Sequence, residues 1–288
     1  MRLRAEPDHA ARAESHHGRN LSGRRRPAGG RPVWRCAYSR TVPDVADISP
    51  DRFAPLIAPV IERLTLAVVT KAMARGVTTT APSAAPPGAM RMFGQLRTAL
   101  LARKVPTAGL AAIYRYRDAG DVRRDLEGLH AAGLIDTTGD GAIQATGSGR
   151  AVLTEMYKAS ADIAGELWAG QEGSLAGLST LAGRVVDAAL ATGGDAYLAM
   201  APPYEPAGAA SGLLLHTRLS VLRYHRADAH AAAWQAAGFT SAAISQMATG
   251  PVRDAIEAET NRQAGIPYTA LDPDERMTFL AGLAALPG

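Results

Sequence analysis

The sequence predicts a mainly helical protein that carries one short two-stranded β-hairpin. Beyond residue 48, apolar side chains recur in most segments with the 3.6-residue period of an α-helix that buries one face. Apolar residues make up 47% of the chain but aromatic residues only 5%, so Ala and Leu must fill most of the core, which favours closely packed helices. One stretch departs from this pattern: two short apolar runs flank the Gly-rich segment 137–141, as in a β-hairpin.

The first 47 residues differ from the rest in composition and charge. They are rich in Arg, Gly, His and Pro and show no hydrophobic period. Residues 1–40 hold ten Arg and three Asp or Glu, a charge of +7, which leaves 21 basic (31 − 10) and 24 acidic (27 − 3) groups, or −3, for the remainder. We therefore expect residues 1–47 to be a disordered basic tail. The alternative is a basic arm that adds sequence-independent affinity for DNA.

An N-terminal helical segment is predicted over residues 48–95. Ser49 followed by Pro50 is a helix-start signal, and the apolar period continues to about Ala74. The Pro-, Thr- and Ala-rich stretch 76–88 predicts a linker or flexible loop. Further helices are predicted over residues 90–103 and 106–116.

The stretch from Gly120 to Tyr157 predicts a helix, a ribbon and a second helix. Val122, Leu126 and Leu129 form one apolar stripe, Gly133 ends the helix, and Thr146 begins the next one. Two short strands lie between these helices, on either side of the Gly-rich turn.

This order, together with Leu129, Leu134-Ile135, the turn glycines, Thr146 and Gly149-Arg150, resembles MarR-like winged helix-turn-helix proteins over residues 96–158. The resemblance implies a winged helix-turn-helix with a two-stranded wing, flanked by N- and C-terminal helices that pair two protomers as a homodimer. It also implies a cytoplasmic bacterial transcriptional regulator that binds double-stranded DNA and responds to a small-molecule effector. The wing departs from the pattern because it lacks the basic cluster usual in such regulators.

The predicted DNA-contacting residues surround the helix after Gly120. With the apolar stripe turned inward, the opposite face presents Arg123, Arg124 and Glu127, and Arg115 and Arg117 lie just upstream. Arginine can bind guanine edges and phosphate oxygens in a bidentate manner. Residues 95–158 nevertheless hold nine basic and seven acidic groups, so a solvated charged face is the alternative interpretation.

A C-terminal helical domain is predicted over residues 159–288, with helices at 175–192, 211–237, 241–247 and 251–264 and a last helix after the Asp272-Pro273 cap. In the helix 211–237, Arg218 and His225 fall within the apolar face that is defined by Leu215, Leu219, Leu222, Ala229 and Ala233. An arginine on a buried face needs a partner, and we expect a carboxylate from the helix 251–264. The alternative is a pocket in which Arg218 and His225 bind an anionic or hydrogen-bonding small molecule.

The segments around His225 and Glu257 also resemble an uncharacterised bacterial helix-turn-helix family, whose matching elements fall on His225, Arg226, Asp228, His230, Glu257 and Thr260-Asn261. Arg218, His225, Asp228, His230 and Glu257 are therefore the predicted ligand-binding residues. A metal site is not expected, because His230 lies about 160° from Asp228 around a helix.

Several function classes are disfavoured by the sequence. It contains no P-loop, Rossmann glycine pattern, nucleophile elbow or paired-carboxylate motif, and we expect no cofactor. A single cysteine, Cys36, excludes an intramolecular disulfide framework. The sequence contains no apolar run of about 18 residues, so a membrane-spanning helix is not expected. The leading hypothesis is a ligand-responsive regulator; the alternatives are a winged-helix scaffold that binds or transforms a small molecule without reading DNA, and a protein-interaction module.

Overall fold

A computed structural model describes residues 48–76 and 85–288; the predicted tail and most of the predicted linker lie outside these ranges. The described residues belong to one compact unit. It is mainly helical, with a single two-stranded antiparallel sheet in the described ranges. The elements are α1 (Pro50–Ala74), α2 (Pro87–Gln95), α3 (Arg97–Ala102), α4 (Thr107–Ile113), α5 (Ala119–Ala131), β1 (Ile135–Thr137), β2 (Ile143–Ala145), α6 (Gly147–Leu167), α7 (Glu172–Ala189), α8 (Asp195–Met200), α9 (Ser211–Ala236), α10 (Ser241–Gln246), α11 (Pro251–Gly265), a 3₁₀-helix (Ile266–Ala270) and α12 (Pro273–Ala285).

Helix α9 is the centre of the packing. It contacts α1, α6, α7, α8 and α11, so most of its circumference is covered. The predicted apolar face is confirmed, since its members are all buried: Leu215, Leu219, Leu222, Ala229 and Ala233. Polar side chains are buried on the same helix, among them His216, His225 and Asp228. A helix surrounded in this way places polar groups inside the protein, where each needs a partner.

The hairpin is held between α5 and α6, as the sequence predicts. Ile135 pairs with Ala145 and Thr137 with Ile143, and Ile143 also forms a bridge to Val105, just before α4. Gly133 has a φ of +67°, the left-handed geometry expected at the end of a helix. Gly149 packs so tightly on the carbonyl of Leu134 that a Cβ would lie 2.0 Å from its oxygen, so only glycine fits there.

Several predicted boundaries are corrected. The helix predicted over 90–103 begins at Pro87 and breaks at Leu96 into α2 and α3, and α4 ends at Ile113 rather than Tyr116. Helix α8 and the 3₁₀-helix were not predicted. Each of the three predicted segments beyond residue 47 contributes to one main hydrophobic core, and a smaller separate cluster forms around Trp234, Ile244 and Ile256.

In the described ranges, α1 is the one helix long and apolar enough to cross a membrane, with a mean hydropathy of 1.6 over its best window. It packs against α6, α9, α11 and α12, and Phe53, Ile57 and Leu64 are completely buried. This packing is compatible with the core helix of a soluble protein.

Candidate functional site

A cavity of about 490 Å³ lies between α1, α9, α11 and the 3₁₀-helix. We call it the histidine cavity, because His225 and His230 of α9 line it. Small side chains on α1 leave the space open: Ala54 and Ala58 face it one turn apart, next to Pro59. Leu222, Pro267 and Tyr268 complete an apolar wall. A cavity of this size and composition, with a few polar groups, is typical of a small-molecule site.

His225 is a buried polar residue of this cavity. Its side chain lies within hydrogen-bond distance of Thr192, with 2.9 Å between Nε2 and Oγ1, and its ring meets that of Tyr197 edge-on. Burial lowers the pKa of His225 to about 4, against the opposing effect of Asp228, so the ring is neutral at neutral pH. Nδ1 has no hydrogen-bond partner among the described residues and is not sealed from solvent. We infer that Nδ1 is available to a ligand in the cavity.

A second polar group consists of Arg226, His230 and Glu257, which line the same cavity, and of Asn261, which contacts Arg226. Arg226 donates to the amide oxygen of Asn261 at 2.9 Å and lies 3.7 Å from the Glu257 carboxylate. His230 Nδ1 lies 3.9 Å from the same carboxylate. Burial lowers the pKa of His230, although Glu257 acts in the opposite direction. The positive charge of Arg226 and the negative charge of Glu257 therefore compensate each other.

Asp228 has a different position from the one predicted. It does not line the cavity; its carboxylate pairs with Arg115 and accepts a 2.8 Å hydrogen bond from the backbone N–H of Tyr197 in the first turn of α8. Arg115 also donates to the carbonyl oxygens of Ala112 and Ala227. Asp228 and Arg115 therefore connect α4, α8 and α9, and Arg115 turns into the body instead of joining the exposed arginines.

The prediction for Arg218 is also corrected. It does not line the histidine cavity, and its partner is not on α11. Arg218 forms a bidentate pair with Glu205 at 2.6 and 2.8 Å and donates to Ser179 of α7 at 2.7 Å. Glu205 lies in the proline-containing connector before α9. The helical pattern of the sequence did not indicate that this connector contacts Arg218. Three predicted ligand-binding residues thus come together, His225, His230 and Glu257.

Residues that sequence reasoning missed complete the histidine cavity. Glu62 of α1 pairs with Arg223 of α9, at 2.6 and 2.9 Å, across 161 positions of sequence. Tyr116 lines the cavity and accepts a hydrogen bond from Trp234 through its hydroxyl, at 3.0 Å. A local sequence pattern cannot predict contacts between residues more than 100 positions apart in the chain.

The exposed face of α5 carries few uncompensated charges. Arg124 pairs with Asp121 at 2.8 Å, and Arg117 pairs with Asp125 at 2.7 Å and lies over the Tyr114 ring. Of the nine basic residues in 95–158, Arg123 alone has no partner among the described residues; the other eight bind carboxylates, backbone carbonyls or His216. Glu127 is exposed on the same face.

Comparisons with family models, curated proteins and solved structures find no match for this chain. Its function must therefore be argued from the arrangement of its own residues.

Proposed function

We propose that this protein binds a small, largely apolar molecule with hydrogen-bonding groups in the histidine cavity. The observation that carries the proposal is a largely apolar space of about 490 Å³ that is lined by His225, whose Nδ1 has no hydrogen-bond partner within the described residues. Arg226 and Glu257 add a donor and an acceptor at one side. Their mutual compensation favours a neutral ligand over a charged one, because a charged ligand would have to displace one partner.

Binding is a better assignment than catalysis. A His with a pKa of about 4 is a weak general base at neutral pH, where the effective pKa lies near the working pH. No serine or cysteine nucleophile lines the histidine cavity. The described residues also include no group of three His, Cys, Asp or Glu arranged to hold a metal ion.

The test uses a neutral fluorescent probe, 1-aminoanthracene, titrated into the full-length protein. We expect saturable binding that Ala58→Trp weakens by at least about tenfold, because the indole would fill the cavity. Leu56→Trp, on the outward face of the same helix, is the matched control and should bind as the wild type does. Equal affinity in wild type and Ala58→Trp, or no binding to the wild type, would contradict the proposal. His225→Leu then separates hydrogen bonding from apolar contact.

A second candidate function is DNA binding by a MarR-like winged helix-turn-helix regulator, with a homodimer as the binding unit. The observation that favours it is the order α4, α5, hairpin, with the Val105 bridge adding a third extended segment beside β2. Helix α5 would be the recognition helix, with Arg123 and Arg124 exposed on it. The nearly complete internal pairing of the basic residues makes this the less supported candidate.

DNA binding is tested by fluorescence anisotropy with random-sequence duplex DNA across a salt series, with the full chain and with the chain from residue 48 onward. If α5 contacts DNA, the shorter chain binds, and Arg123→Ala reduces the slope of log K against log salt by about one. Binding by the full chain alone would assign the affinity to the basic tail. No binding by either chain at low salt would eliminate this candidate.

A further inference from the structure

A second cavity, of about 290 Å³, follows the first one along helix α1. We call it the arginine cavity after Arg97 of α3, which lines it together with Arg91 and Arg223. Residues 54–62 of α1 line the histidine cavity and residues 66–73 line this one, while Arg223 of α9 lines both. The walls are largely apolar and include Val68, Met156, Met200 and Val221.

The Arg97 guanidinium has no anionic partner among the described residues. Nη1 donates to the carbonyl oxygen of Gly94 at 2.9 Å, and Nη2 lies 3.0 Å from His216 Nε2. Nε is sealed from solvent and has no acceptor. Arginine carries five N–H donors, so two are used here and three remain. An arginine in this position would ordinarily be paired with a carboxylate, because an uncompensated buried charge is costly.

The side chains around Arg97 cannot supply the missing charge. His216 is completely buried, and burial together with the nearby Arg97 and Arg223 lowers its pKa to about 3, so the ring is neutral. Tyr224 and Tyr157 are the other groups that act on Arg97 electrostatically, and burial raises the pKa of both phenols, which keeps them neutral as well. Arg97 itself stays protonated, since an arginine pKa lies far above neutral pH even when burial lowers it.

Other arginines in the core or at the two cavities show how a guanidinium is compensated in this protein. Arg115 pairs with Asp228, Arg218 with Glu205, and Arg223 with Glu62. Arg276 is buried without a carboxylate, but it bonds the Leu271 carbonyl at 2.7 Å and lines neither cavity. Arg97 differs from these arginines because it lines a cavity and has no anion among the described residues. Arg91 also lines this cavity without such a partner, but its side chain is exposed to solvent, which screens its charge.

We propose that the arginine cavity binds a small lipophilic carboxylate, whose carboxylate pairs with Arg97 while its hydrocarbon part contacts the methionine and valine wall. A carboxylate matches the planar guanidinium through parallel charge-assisted hydrogen bonds. Methionine side chains adapt to flexible apolar ligands. The opening carries exposed apolar side chains, Leu66, Val69 and Met73, which suit the passage of a hydrocarbon chain.

The charge of the site argues for a carboxylate over a phosphate. A phosphate monoester carries nearly two charges at neutral pH, and Arg97 would compensate only one of them, because Arg223 is already paired with Glu62 and Arg91 is exposed to solvent. A single carboxylate neutralises Arg97 and leaves no charge uncompensated. The small volume, at the lower end of the usual range for ligand pockets, also restricts the ligand to a short chain or one ring.

The experiment is calorimetric titration of the full-length protein with octanoate, and with 1-octanol and octyl phosphate as matched probes of the same chain length. We expect octanoate to bind at least about tenfold more tightly than the other two, the ratio expected from a charge-assisted pair. Arg97→Gln should remove this preference and leave octanol binding unchanged. Arg262→Gln, an exposed arginine on α11, is the control and should bind octanoate as the wild type does.

Val69→Trp protects the test against an Arg97 variant that fails to fold. Val69 is partly exposed at the opening, so a larger side chain there can narrow the cavity without disturbing the core, and octanoate affinity should fall. Equal binding of octanoate and octanol, a preference for octyl phosphate, retention of octanoate binding by folded Arg97→Gln, or no octanoate binding by the wild type would each overturn the proposal. The Ala58→Trp variant of the histidine cavity should not affect octanoate, which separates this site from the first.

Discussion

The histidine cavity and the arginine cavity share α1, α9 and Arg223, but they differ in how their charged side chains are compensated. In the histidine cavity, Arg226 lies beside Glu257 and Arg223 is paired with Glu62. In the arginine cavity, Arg97 has a carbonyl and a neutral histidine as its partners. The comparison shows two ways of building a site around one helix: one set of charges is neutralised by folding, and the other is left for a ligand to neutralise.

The largest effect should come from removing the partner of a charge that folding has compensated. We expect Asp228→Ala to lower the free energy of unfolding by about 3 kcal/mol, because Arg115 would keep a mostly buried charge and the Tyr197 N–H would lose its acceptor. Urea denaturation measures this difference. Glu155→Ala is the control, since its pair with Lys158 is exposed and should contribute less than about 1 kcal/mol. Equal losses in the two variants would show that Asp228 is not a structural anchor.

A somewhat smaller effect should appear in the dependence of stability on pH. The pKa of His225 is lowered to about 4 in the folded protein and that of His216 to about 3, both mainly by burial. In the unfolded chain both titrate near 6.5, so between pH 6.5 and 4.5 the unfolded state binds more protons and stability falls as the pH falls. His225→Phe should reduce this loss by about 2 kcal/mol over the interval. Denaturation curves at both pH values test it, and an unchanged pH dependence would mean that His225 is charged in the folded protein.

The fold could be predicted from the sequence wherever its signals are local. The start of α1 at Ser49-Pro50, the glycine end of α5, the hairpin and the capping box of α12 at Asp272 and Glu275 each depend on neighbouring residues. Helix α8 was missed because six residues are too few to show a helical period. The position of His225 around the helix correctly predicted that its side chain is buried, because the burial of a helical residue depends on the face on which it lies.

The partners of the site residues could not be predicted, because they depend on which elements meet. Arg218 was expected to bind a carboxylate of α11 and instead binds Glu205, and Asp228 was expected in the ligand site and instead binds Arg115. The missing partner of Arg97 is a property of the packed structure alone. Beyond residue 47 the sequence holds more carboxylates than arginines, but it does not show which arginine is left without one.

The comparison also predicts that Arg97 contributes little to stability, although it is largely buried. We expect Arg97→Met to change the free energy of unfolding by no more than about 1 kcal/mol in the absence of ligand, because the lost hydrogen bonds are offset by removal of an uncompensated charge. Urea denaturation alongside Asp228→Ala measures the contrast. A loss for Arg97→Met as large as that for Asp228→Ala would mean that Arg97 is compensated by the fold after all, and the arginine cavity would lose its distinguishing feature.

The smallest effect concerns the compensated group of the histidine cavity. Glu257→Gln removes the carboxylate that lies 3.9 Å from His230 Nδ1 and 3.7 Å from Arg226. Because Glu257 acts to raise the pKa of His230, that pKa should fall further in the variant, while the free energy of unfolding should change by less than about 1 kcal/mol, since the group is partly exposed. An NMR titration of the histidine ring signals measures the pKa. Glu259→Gln is the matched control on the same helix, because Glu259 pairs with Arg262 and should leave His230 unchanged. If the pKa of His230 were the same in the wild type and in Glu257→Gln, Glu257 would compensate Arg226 alone. A ligand would then meet Arg226 as donor and Glu257 as acceptor, without His230.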